Sequence, residues 1–488
     1  MQQSSANSQP DRTTLDHKLA PVHSTSTPAV PRVRAAGGYR EVVSLALPLV
    51  LCMLSQTIMT AVESAFLGHY GMVEQGAAGL AGALLWPLLL SCNWSGIGVQ
   101  ICVAQSIGAQ RRTDCGALTW QGIYVSLLAW LCLVIAGLGA RLIVQLSAPS
   151  PALVEPTILY LRIELLGSLP GLVNLTLVGF FRGIGDTTTP LMVTLVVELL
   201  GTLLDLLLIF GVAGLPRLGI TGAALATVSA NAVGTVIYLY LFLRRGRREG
   251  FLTQPRLPFD RHACWRLVRI SWPIGAHGVL DMGAWTLFTA LAARLGTVEA
   301  AAHAIAIRII ALGYMAGYGI SVAATTLVGR YLGAQEPAAA RRSMRSSLIL
   351  TLLLMVSMGA GFFVWRQSLV ALFTQDLTVA PLAVQLVSVV ALFQLFDSLS
   401  LSAMGVLRGA GQTRWPMLAA LLVNWGLFIP CAALVMFTWH GGIIGGWAVG
   451  LGSAVLLGLV LLWRVLHGGW SAAYAKSSSS PRQTGGGN

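Results

Sequence analysis

Acidic side chains inside apolar sequence are the residues of this chain best suited to chemistry. Of 18 acidic residues, five lie well within stretches long and apolar enough to cross a membrane: Glu63, Glu198, Asp205, Asp281 and Asp397. An aspartate at the centre of a membrane-spanning helix costs about 2.5–3.5 kcal/mol on insertion scales. We therefore expect these acids to face an interior cavity and to serve a function. A buried carboxyl group can bind and release a proton, or it can hold Na⁺ through its oxygen atoms.

Helical spacing places several of these acids on a common face with another polar residue. Gln56 and Glu63 are seven residues apart, and so are Glu198 and Asp205. Residues seven apart lie on one face of an α-helix. A structural hydrogen bond to a neighbouring helix is the alternative role for each acid, and it is the favoured one for Glu198.

Polar and aromatic residues near the acids are candidates for binding a substrate. His277, Asp281 and Trp285 follow one another at intervals of four and so share a helix face. An aromatic ring can stack on an organic cation. The predicted substrate-binding residues are Gln56, His277, Trp285, Tyr318 and Phe396. For His277 and the aromatic residues, ordinary helix packing is the more common role.

The composition indicates an all-α polytopic membrane protein. The 488 residues are 55% hydrophobic and only 10% charged, whereas a soluble domain carries about 25% charged residues. Apolar runs of roughly 20 residues recur along the chain, as membrane-spanning helices require. The strands of a membrane barrel alternate apolar and polar residues, and these runs do not.

Twelve apolar spans are predicted, and the charges between them indicate the topology. The spans lie near 42–66, 76–101, 118–146, 157–181, 188–212, 219–243, 266–292, 300–327, 345–370, 379–403, 415–437 and 442–466. With this assignment 25 of the 31 lysines and arginines lie on one side. The positive-inside rule places that side, and both termini, in the cytoplasm. The net charge of +13 is thus a topology signal and does not indicate a nucleic-acid partner.

The same assignment divides the chain into two lobes and three polar segments. Residues 40–243 form the predicted N-lobe and residues 266–467 the C-lobe, joined by a cytoplasmic linker at 244–265. Residues 1–39 and 468–488 are rich in small polar residues and predict disordered cytoplasmic tails. Seven scattered cysteines without a CxxC pair argue against a disulfide framework or a zinc site.

The two lobes repeat one another. The segment "VAQSIGAQRR" at 103–112 is echoed by "VGRYLGAQEP" at 328–337, an offset of 225 residues. The segment "VGFFRGIGDTTTP" at 178–190 is echoed by "MGVLRGAGQTRWP" at 404–416, with six identities in thirteen positions. Each unit has six spans, an even number, so the repeats are parallel, as in many secondary transporters.

These motifs together resemble the multidrug and toxic compound extrusion (MATE) family, in its bacterial NorM-like branch. Further segments that carry the resemblance are "SQTIMTAVESAFLGHYG" in span 1, "PIGAHGVLD" in span 7 and "FDSLSLSAMGVLRGAGQT" in span 10. The resemblance covers residues 40–466. It implies a V-shaped fold of twelve helices in the bacterial inner membrane. It also implies cation-coupled efflux of cationic or amphiphilic drugs.

The resemblance also assigns roles to individual residues. It implies that Glu63, Asp205, Asp281 and Asp397 occupy acidic positions that couple transport to a cation, with Asn174 as a polar neighbour and Glu198 as a further acid. Asp281 and Asp397 are the implied ligands of Na⁺, if Na⁺ is the ion. Three positions depart from the family pattern: Glu63 where aspartate is usual, Gly201 where asparagine is common, and Phe393 where some members have tyrosine. They leave open whether H⁺ or Na⁺ is coupled and which lobe dominates.

The sequence excludes some functions and leaves others as alternatives. A phosphate-binding loop needs a lysine, and the only lysines are Lys18 and Lys476 in the predicted tails. The energy is therefore expected to come from an ion gradient, with no cofactor and no enzymatic activity. The expected partners are cationic drugs and membrane lipid, and the chain is expected to be a monomer. A flippase for lipid-linked oligosaccharides of the same superfamily is the main alternative, although it would need a basic cavity. A channel or a structural membrane protein is a third possibility.

Overall fold

The computed structural model describes residues 36–470, except 93, 148–149, 215, 252, 254–258 and 468. Most of both predicted tails lies outside the described residues. Every regular element of the described part is helical. The first helix begins at Tyr39, the last residue of the predicted N-terminal tail.

Nine α-helices form the N-terminal half. They are α1 (Tyr39–Tyr70), α2 (Met72–Cys92), α3 (Trp94–Gly108), α4 (Arg112–Leu138), α5 (Ala140–Leu146), α6 (Pro151–Leu166), α7 (Leu169–Ile184), α8 (Thr188–Phe210) and α9 (Ile220–Glu249). A short 3₁₀ turn, Val212–Gly214, follows α8. Pro170 lies in the first turn of α7, where a backbone N–H would have no partner within the helix, so the missing N–H of proline removes no hydrogen bond. It ends at Gly185, whose φ of 88° suits the left-handed conformation of a helix C-cap.

Eight α-helices form the C-terminal half. They are α10 (Arg261–Ala293), α11 (Thr297–Gly333), α12 (Pro337–Val364), α13 (Arg366–Ala371), α14 (Val379–Gly409), α15 (Arg414–Ala420), α16 (Ile429–Ala433) and α17 (Gly442–His467). The π-helical stretch Leu421–Phe428 joins α15 to α16, and a second, Leu434–Thr438, follows α16, so that Arg414–Thr438 form one continuous helix. Asp260 caps α10 by accepting hydrogen bonds from the backbone N–H groups of His262 and Ala263.

The predicted spans all coincide with helices, but not all helices are equally apolar. Ten helices of the described residues are long and apolar enough to cross a membrane, and the bent pair α6–α7 makes eleven. The remaining predicted span, 266–292, coincides with α10, which has 33 residues. Helix α10 is less apolar because it contains His277 and Asp281. The helices also extend beyond the predicted linker bounds of 244–265, because α9 continues to Glu249 and α10 begins at Arg261.

The two halves repeat in structure at the offset seen in the sequence. Helices α2 and α3 together cover 72–108, and α11 covers 297–333. The loops that follow contain Gln110 and Gln335, both with a φ of 59°. The halves differ at one point that bears on function. Helices α6 and α7 are bent by 47° at Gly167 and Ser168, whereas the corresponding helix α14 is continuous.

The halves meet where α11 packs against α1 and α3. The Gln100 side chain donates hydrogen bonds to the Val322 carbonyl, at 3.1 Å, and to Thr326 Oγ1, at 2.9 Å. Glycines make the closest approach between the backbones. A Cβ on Gly333 would overlap the carbonyl oxygen of Gln105, and a Cβ on Gly108 would overlap that of Arg330. This crossing lies at the C-terminal ends of α3 and α11, on the side that the charge pattern predicts to be cytoplasmic.

Candidate functional site

A hydrogen bond between two helices fixes the first of the predicted acids. Glu63 is half-buried in the C-terminal third of α1. Tyr160 of α6 donates its hydroxyl proton to Glu63 Oε1 over 3.1 Å. Tyr160 is itself buried, with 8% of its surface exposed. The carboxyl group of Glu63 is therefore held in a defined position while part of it stays accessible.

Two further acids lie within electrostatic range of Glu63. Asp205 of α8 is 1% exposed and Glu164 of α6 is 8% exposed. Electrostatic interactions connect Glu164 with both Glu63 and Asp205, and Asp205 with Glu63. One oxygen of each buried acid, Asp205 Oδ1 and Glu164 Oε1, has no hydrogen-bond partner among the described residues. We call Glu63, Tyr160, Glu164 and Asp205 the N-half cluster.

The N-half cluster carries acidic charge that no described basic side chain compensates. The electrostatic partners of its carboxyl groups are other acids and Tyr160. Arg162 is exposed and lies about 200° around α6 from Glu164. A buried carboxylate without a partner is costly. The cluster is therefore suited to binding positive charge, as protons or as an organic cation.

The remaining N-terminal candidates lie around the cluster or apart from it. Glu198 is half-buried on α8 and interacts electrostatically with Glu63. Asn174 is buried, but it contacts α9, where its Nδ2 donates to the backbone oxygen of Asn231 at 3.0 Å and its Oδ1 accepts from Thr235 at 2.9 Å. Gln56 is exposed, two turns from Glu63. Of these residues, Glu198 is the one that the structure connects with Glu63.

The acids of the C-terminal half have a basic neighbour. Asn424 donates a hydrogen bond to Asp281 Oδ1 at 3.0 Å. Asp281 also interacts electrostatically with Asp397 and with Arg408. Arg408 is buried on α14, with 8% of its surface exposed. We call Asp281, Asp397, Arg408 and Asn424 the C-half cluster, in which one guanidinium offsets part of the acidic charge.

Other predicted residues of the C-terminal half surround this cluster. His277 is buried, its Nε2 has no hydrogen-bond partner among the described residues, and it interacts electrostatically with Arg408. Tyr318 is stacked on Tyr314, with ring centroids 5.7 Å apart. Tyr314 interacts electrostatically with Asp281, Asp397 and Arg408. The predicted residues Asp281, Asp397, His277 and Tyr318 thus belong to one region.

The two remaining aromatic candidates take part in packing. The indole of Trp285 is half-buried and lies 5.7–6.1 Å from four rings: Phe288, Phe393, Phe428 and Trp447. Phe396 is half-buried, and its backbone faces Gly458 of α17. Nearby His303 accepts a hydrogen bond from Trp447 Nε1 at its Nδ1 (3.2 Å), and its Nε2 lies 2.9 Å from Thr289 Oγ1. This histidine has a partner at each ring nitrogen.

Three important residues were not among the predicted site residues. Tyr160 and Glu164 are four residues apart on α6, the spacing that relates His277 to Asp281, but Glu164 lies two residues from Arg162 and near the start of the predicted span at 157. The sequence places Arg408 just after the predicted span 379–403, among the basic residues that indicate the topology. Its burial and its electrostatic effect on Asp281 depend on the tertiary arrangement of α10 and α14, which the sequence pattern does not specify.

The residues do not form a compact metal site of acids, histidines and cysteines. Within the described part of the chain, no three such side chains lie close enough to hold one metal ion. Asp281 and Asp397 form a pair, and Arg408 places a positive charge near them. The sodium site at Asp281 and Asp397 stays a prediction, and this charge disfavours it.

The hydrogen bond from Tyr160 supports a first testable prediction. We expect Tyr160→Phe to reduce uphill ethidium transport about three- to tenfold, since a hydrogen bond to a charged group contributes about 1.5–3 kcal/mol and part of that is recovered by water. The assay is dye uptake into everted membrane vesicles. Tyr240→Phe, at an exposed position on α9, is the matched control. Unchanged uptake by Tyr160→Phe would show that the hydrogen bond is not needed.

Comparisons with known proteins agree with the repeat. The model of the MatE family matches the chain twice, over residues 48–207 and 273–434. The two matches begin 225 residues apart, the offset of the sequence motifs. The chain is 28% identical over 442 residues to the probable multidrug resistance protein NorM of Thermotoga maritima, covering 90% of this chain and 94% of that protein. It is 30% identical over 438 residues to the multidrug resistance protein NorM of Burkholderia vietnamiensis, covering 86% and 92%.

Solved structures share the fold. An outward-facing conformation of a multidrug resistance MATE family transporter of the MOP superfamily has a TM-score of 0.81 and 18% identity, covering 90% of this chain and 97% of that chain. A crystal structure of MATE in the straight conformation has the same TM-score, identity and coverage. The predicted fold class and the predicted family resemblance are thereby confirmed.

Proposed function

The chain belongs to the MatE family, and from that membership we propose that it is a secondary active multidrug efflux transporter that exchanges an inward cation for an outward organic cation. The relatives named as multidrug resistance proteins support efflux of drugs. The observation that carries the exchange is the N-half cluster, in which acidic groups converge without a described basic partner. We propose further that it works in the bacterial inner membrane with both termini in the cytoplasm.

The coupling ion that fits the N-half cluster best is H⁺. Two carboxyl oxygens there are buried without a partner among the described residues, and a proton satisfies such an oxygen without needing several further ligands. Glu63 is the accessible member, so it is the group at which a drug and a proton compete. When Glu63 is ionised it attracts a cationic drug, and when it is protonated that attraction is lost.

Protonation of the site from outside then releases the drug. The cluster lies toward the ends of α1 and α8 that the topology places away from the cytoplasm. A drug that has bound from the cytoplasmic side is displaced at the outer side by an incoming proton. The two halves then rock about the α3–α11 crossing, and the site faces the cytoplasm again. The acidic charge of both clusters also disfavours the flippase alternative, which would need a basic cavity for phosphate.

The available energy is sufficient for uphill export. One pH unit supplies about 1.4 kcal/mol per proton, a factor of about ten in concentration. For a monovalent drug exchanged one-for-one with H⁺, the contributions of the membrane voltage cancel. Each pH unit therefore supports about tenfold accumulation, and more than that needs a second exchanged charge.

We assign the C-half cluster a secondary role. Arg408 acts electrostatically on Asp281, so this half attracts a cation less strongly than the N-half cluster. We expect Asp281→Asn to reduce ethidium transport about two- to fivefold, because a partly offset charge contributes less than an uncompensated one. The comparison is with Glu63→Gln in the same vesicles. An Asp281→Asn loss as large as that of Glu63→Gln would refute the secondary role.

The test of the proposed function separates the two gradients. Everted vesicles containing the wild-type protein receive ethidium together with an imposed pH gradient or an imposed Na⁺ gradient. We expect accumulation with the pH gradient alone. Accumulation that requires Na⁺ would contradict the proton assignment, and no accumulation with either gradient would contradict cation-coupled efflux of this dye.

A further inference from the structure

Glu164 of α6 is an additional acid in the N-half cluster, because the exchange of one proton needs only one carboxyl group. Tyr160, one turn earlier on the same helix face, binds Glu63. Glu164 interacts electrostatically with both Glu63 and Asp205. It lies three residues before Gly167, where the helix breaks and bends by 47°. The break ends α6 just beyond Glu164, so this side chain belongs to the last turn of its helix.

The Glu164 carboxyl group is buried and incompletely bonded. Its residue surface is 8% exposed, and Oε1 has no hydrogen-bond partner among the described residues. Asp205, with which it interacts electrostatically, is 1% exposed and also has an oxygen without a partner in the described part of the chain. A buried polar atom without a partner is rare in native structures and requires an explanation. Here, two such oxygen atoms belong to carboxyl groups that interact with the same Glu63.

The charged groups on the surrounding helices do not neutralise Glu164. Helix α6 packs against α2, α4, α5 and α9. On α2, Glu74 lies against Gly71 in the first turn, and on α5, Arg141 is paired with the exposed Glu155 at 2.7 Å. The charged residues of α4 and α9 lie at the opposite, predicted cytoplasmic ends: Arg112, Asp114, Arg244, Arg245, Arg247, Arg248 and Glu249. The titratable groups that act on Glu164 are Glu63, Asp205 and Tyr160, while Glu198 acts on Glu63.

We propose that Glu164 is a specificity-determining residue that lets the N-half cluster accept organic cations with two positive charges. The proposal rests on the proposed function of this cluster as the drug site. Glu63 together with Glu164 can balance a dication, while Asp205, which is only 1% exposed, keeps its proton. A monovalent cation needs only Glu63. Without Glu164, the cluster has one carboxylate fewer to pair with a bound cation. This loss weakens the binding of a dication more than that of a monocation.

Two dyes that share one ring system test this charge preference. Ethidium carries one permanent positive charge, and propidium carries the same phenanthridinium ring with a second, quaternary ammonium charge. Binding of each dye to the purified full-length protein in detergent is measured by fluorescence anisotropy, with no ion gradient. Protons released on binding are counted in weakly buffered solution. We expect about two protons per propidium and about one per ethidium in the wild type, because each carboxyl that pairs with the dye gives up its proton.

The decisive variant is Glu164→Gln, which removes the charge and keeps the shape. We expect it to lower the ratio of propidium to ethidium affinity at least tenfold and to reduce proton release by propidium to about one. Glu164→Asp keeps the charge and is expected to keep the wild-type preference. Glu155→Gln, on the exposed part of the same helix, is the matched control and is expected to behave as the wild type.

Two results would overturn the proposal. One is a propidium-to-ethidium ratio in Glu164→Gln that stays within twofold of the wild-type ratio, whether or not both affinities fall. The other is a loss of the preference in Glu164→Asp equal to that in Glu164→Gln, which would indicate a steric role. Because binding is measured without an ion gradient, either result is independent of whether the protein transports dye in vesicles. A protein that binds propidium as expected but moves no dye in vesicles would contradict the proposed transport and not the charge preference.

Discussion

We expect Glu63→Gln to abolish most of the accumulation of ethidium that a pH gradient drives, by a factor of about 10–100. The substitution keeps the size of the side chain and a partner for the Tyr160 hydroxyl, but it removes the charge for which proton and drug compete. Interactions with an ionised group contribute about 1.5–3 kcal/mol, and each 1.4 kcal/mol is a factor of about ten in affinity. The measurement is the initial rate and final level of dye uptake in everted vesicles at equal amounts of protein.

A matched acid outside the cluster provides the control. Glu74 lies at the first turn of α2, against Gly71, near the same predicted face of the membrane. We expect Glu74→Gln to retain uptake within about twofold, as is usual for surface substitutions. Equal losses in both variants would point to a general effect of acidic charge. Wild-type uptake by Glu63→Gln would remove Glu63 from the mechanism.

The second large effect is expected from the glycine crossing between the halves. A Cβ on Gly333 would overlap the carbonyl oxygen of Gln105, and backbone atoms cannot move aside as a side chain can. We expect Gly333→Val to keep α3 and α11 apart and to reduce ethidium accumulation at least about tenfold, since overpacking of this kind costs about 1–3 kcal/mol. The α3–α11 crossing, on the predicted cytoplasmic side, would then stay open, while the N-half cluster itself is unchanged.

Thiol labelling distinguishes an open crossing from an unfolded protein. Ala104 is fully buried, and its Cβ faces Gly329 of α11. In an Ala104→Cys background, residue 104 is expected to be unreactive toward a polar maleimide in otherwise wild-type protein and reactive once Gly333→Val is added. Gly452→Val is the control, because a Cβ there meets no atom within 4 Å. An unreactive Cys at 104 in the Gly333→Val protein would refute the open crossing.

The fold could be predicted largely from the sequence because its signals are repeated and local. Each predicted apolar run coincides with a helix or a divided helix, and the paired motifs at 103–112 and 328–337 predicted the repeat of the two halves. These local signals did not predict where a helix is interrupted. The break at Gly167 and Ser168 divides one predicted span into α6 and α7, although its counterpart in α14 is continuous. The presence of His277 and Asp281 in α10 made one span less apolar than the others without ending the helix.

The candidate site could be predicted only in part. The intramembrane acids Glu63, Asp205, Asp281 and Asp397 are conspicuous in a hydropathy profile, since each is costly in an apolar surrounding. Their partners are not, because a contact between helices depends on rotation and packing that periodicity does not specify. Tyr160 reaches Glu63 across 97 residues of sequence. Arg408 offsets part of the charge of the C-half cluster only because the fold brings it within electrostatic range of Asp281, 127 residues earlier in the sequence.

The difference between the clusters bears on which half couples transport to the ion. The sequence shows acids in both halves and so leaves the choice open. In the structure, Asp281 of the C-half cluster accepts a hydrogen bond from Asn424 and interacts electrostatically with Arg408. The N-half cluster instead has Tyr160 and two oxygen atoms without a partner among the described residues. This asymmetry is the reason that we place the exchange at Glu63.

The most direct test of that placement is the proton movement that a dye gradient drives in the absence of Na⁺. Ethidium is added outside proteoliposomes that contain a pH indicator and no imposed ion gradient. We expect the interior to become alkaline with the wild type and, more slowly, with Asp281→Asn, but not with Glu63→Gln. Proton movement by Glu63→Gln at the wild-type rate, or movement that depends on added Na⁺, would contradict exchange of H⁺ and drug at the N-half cluster.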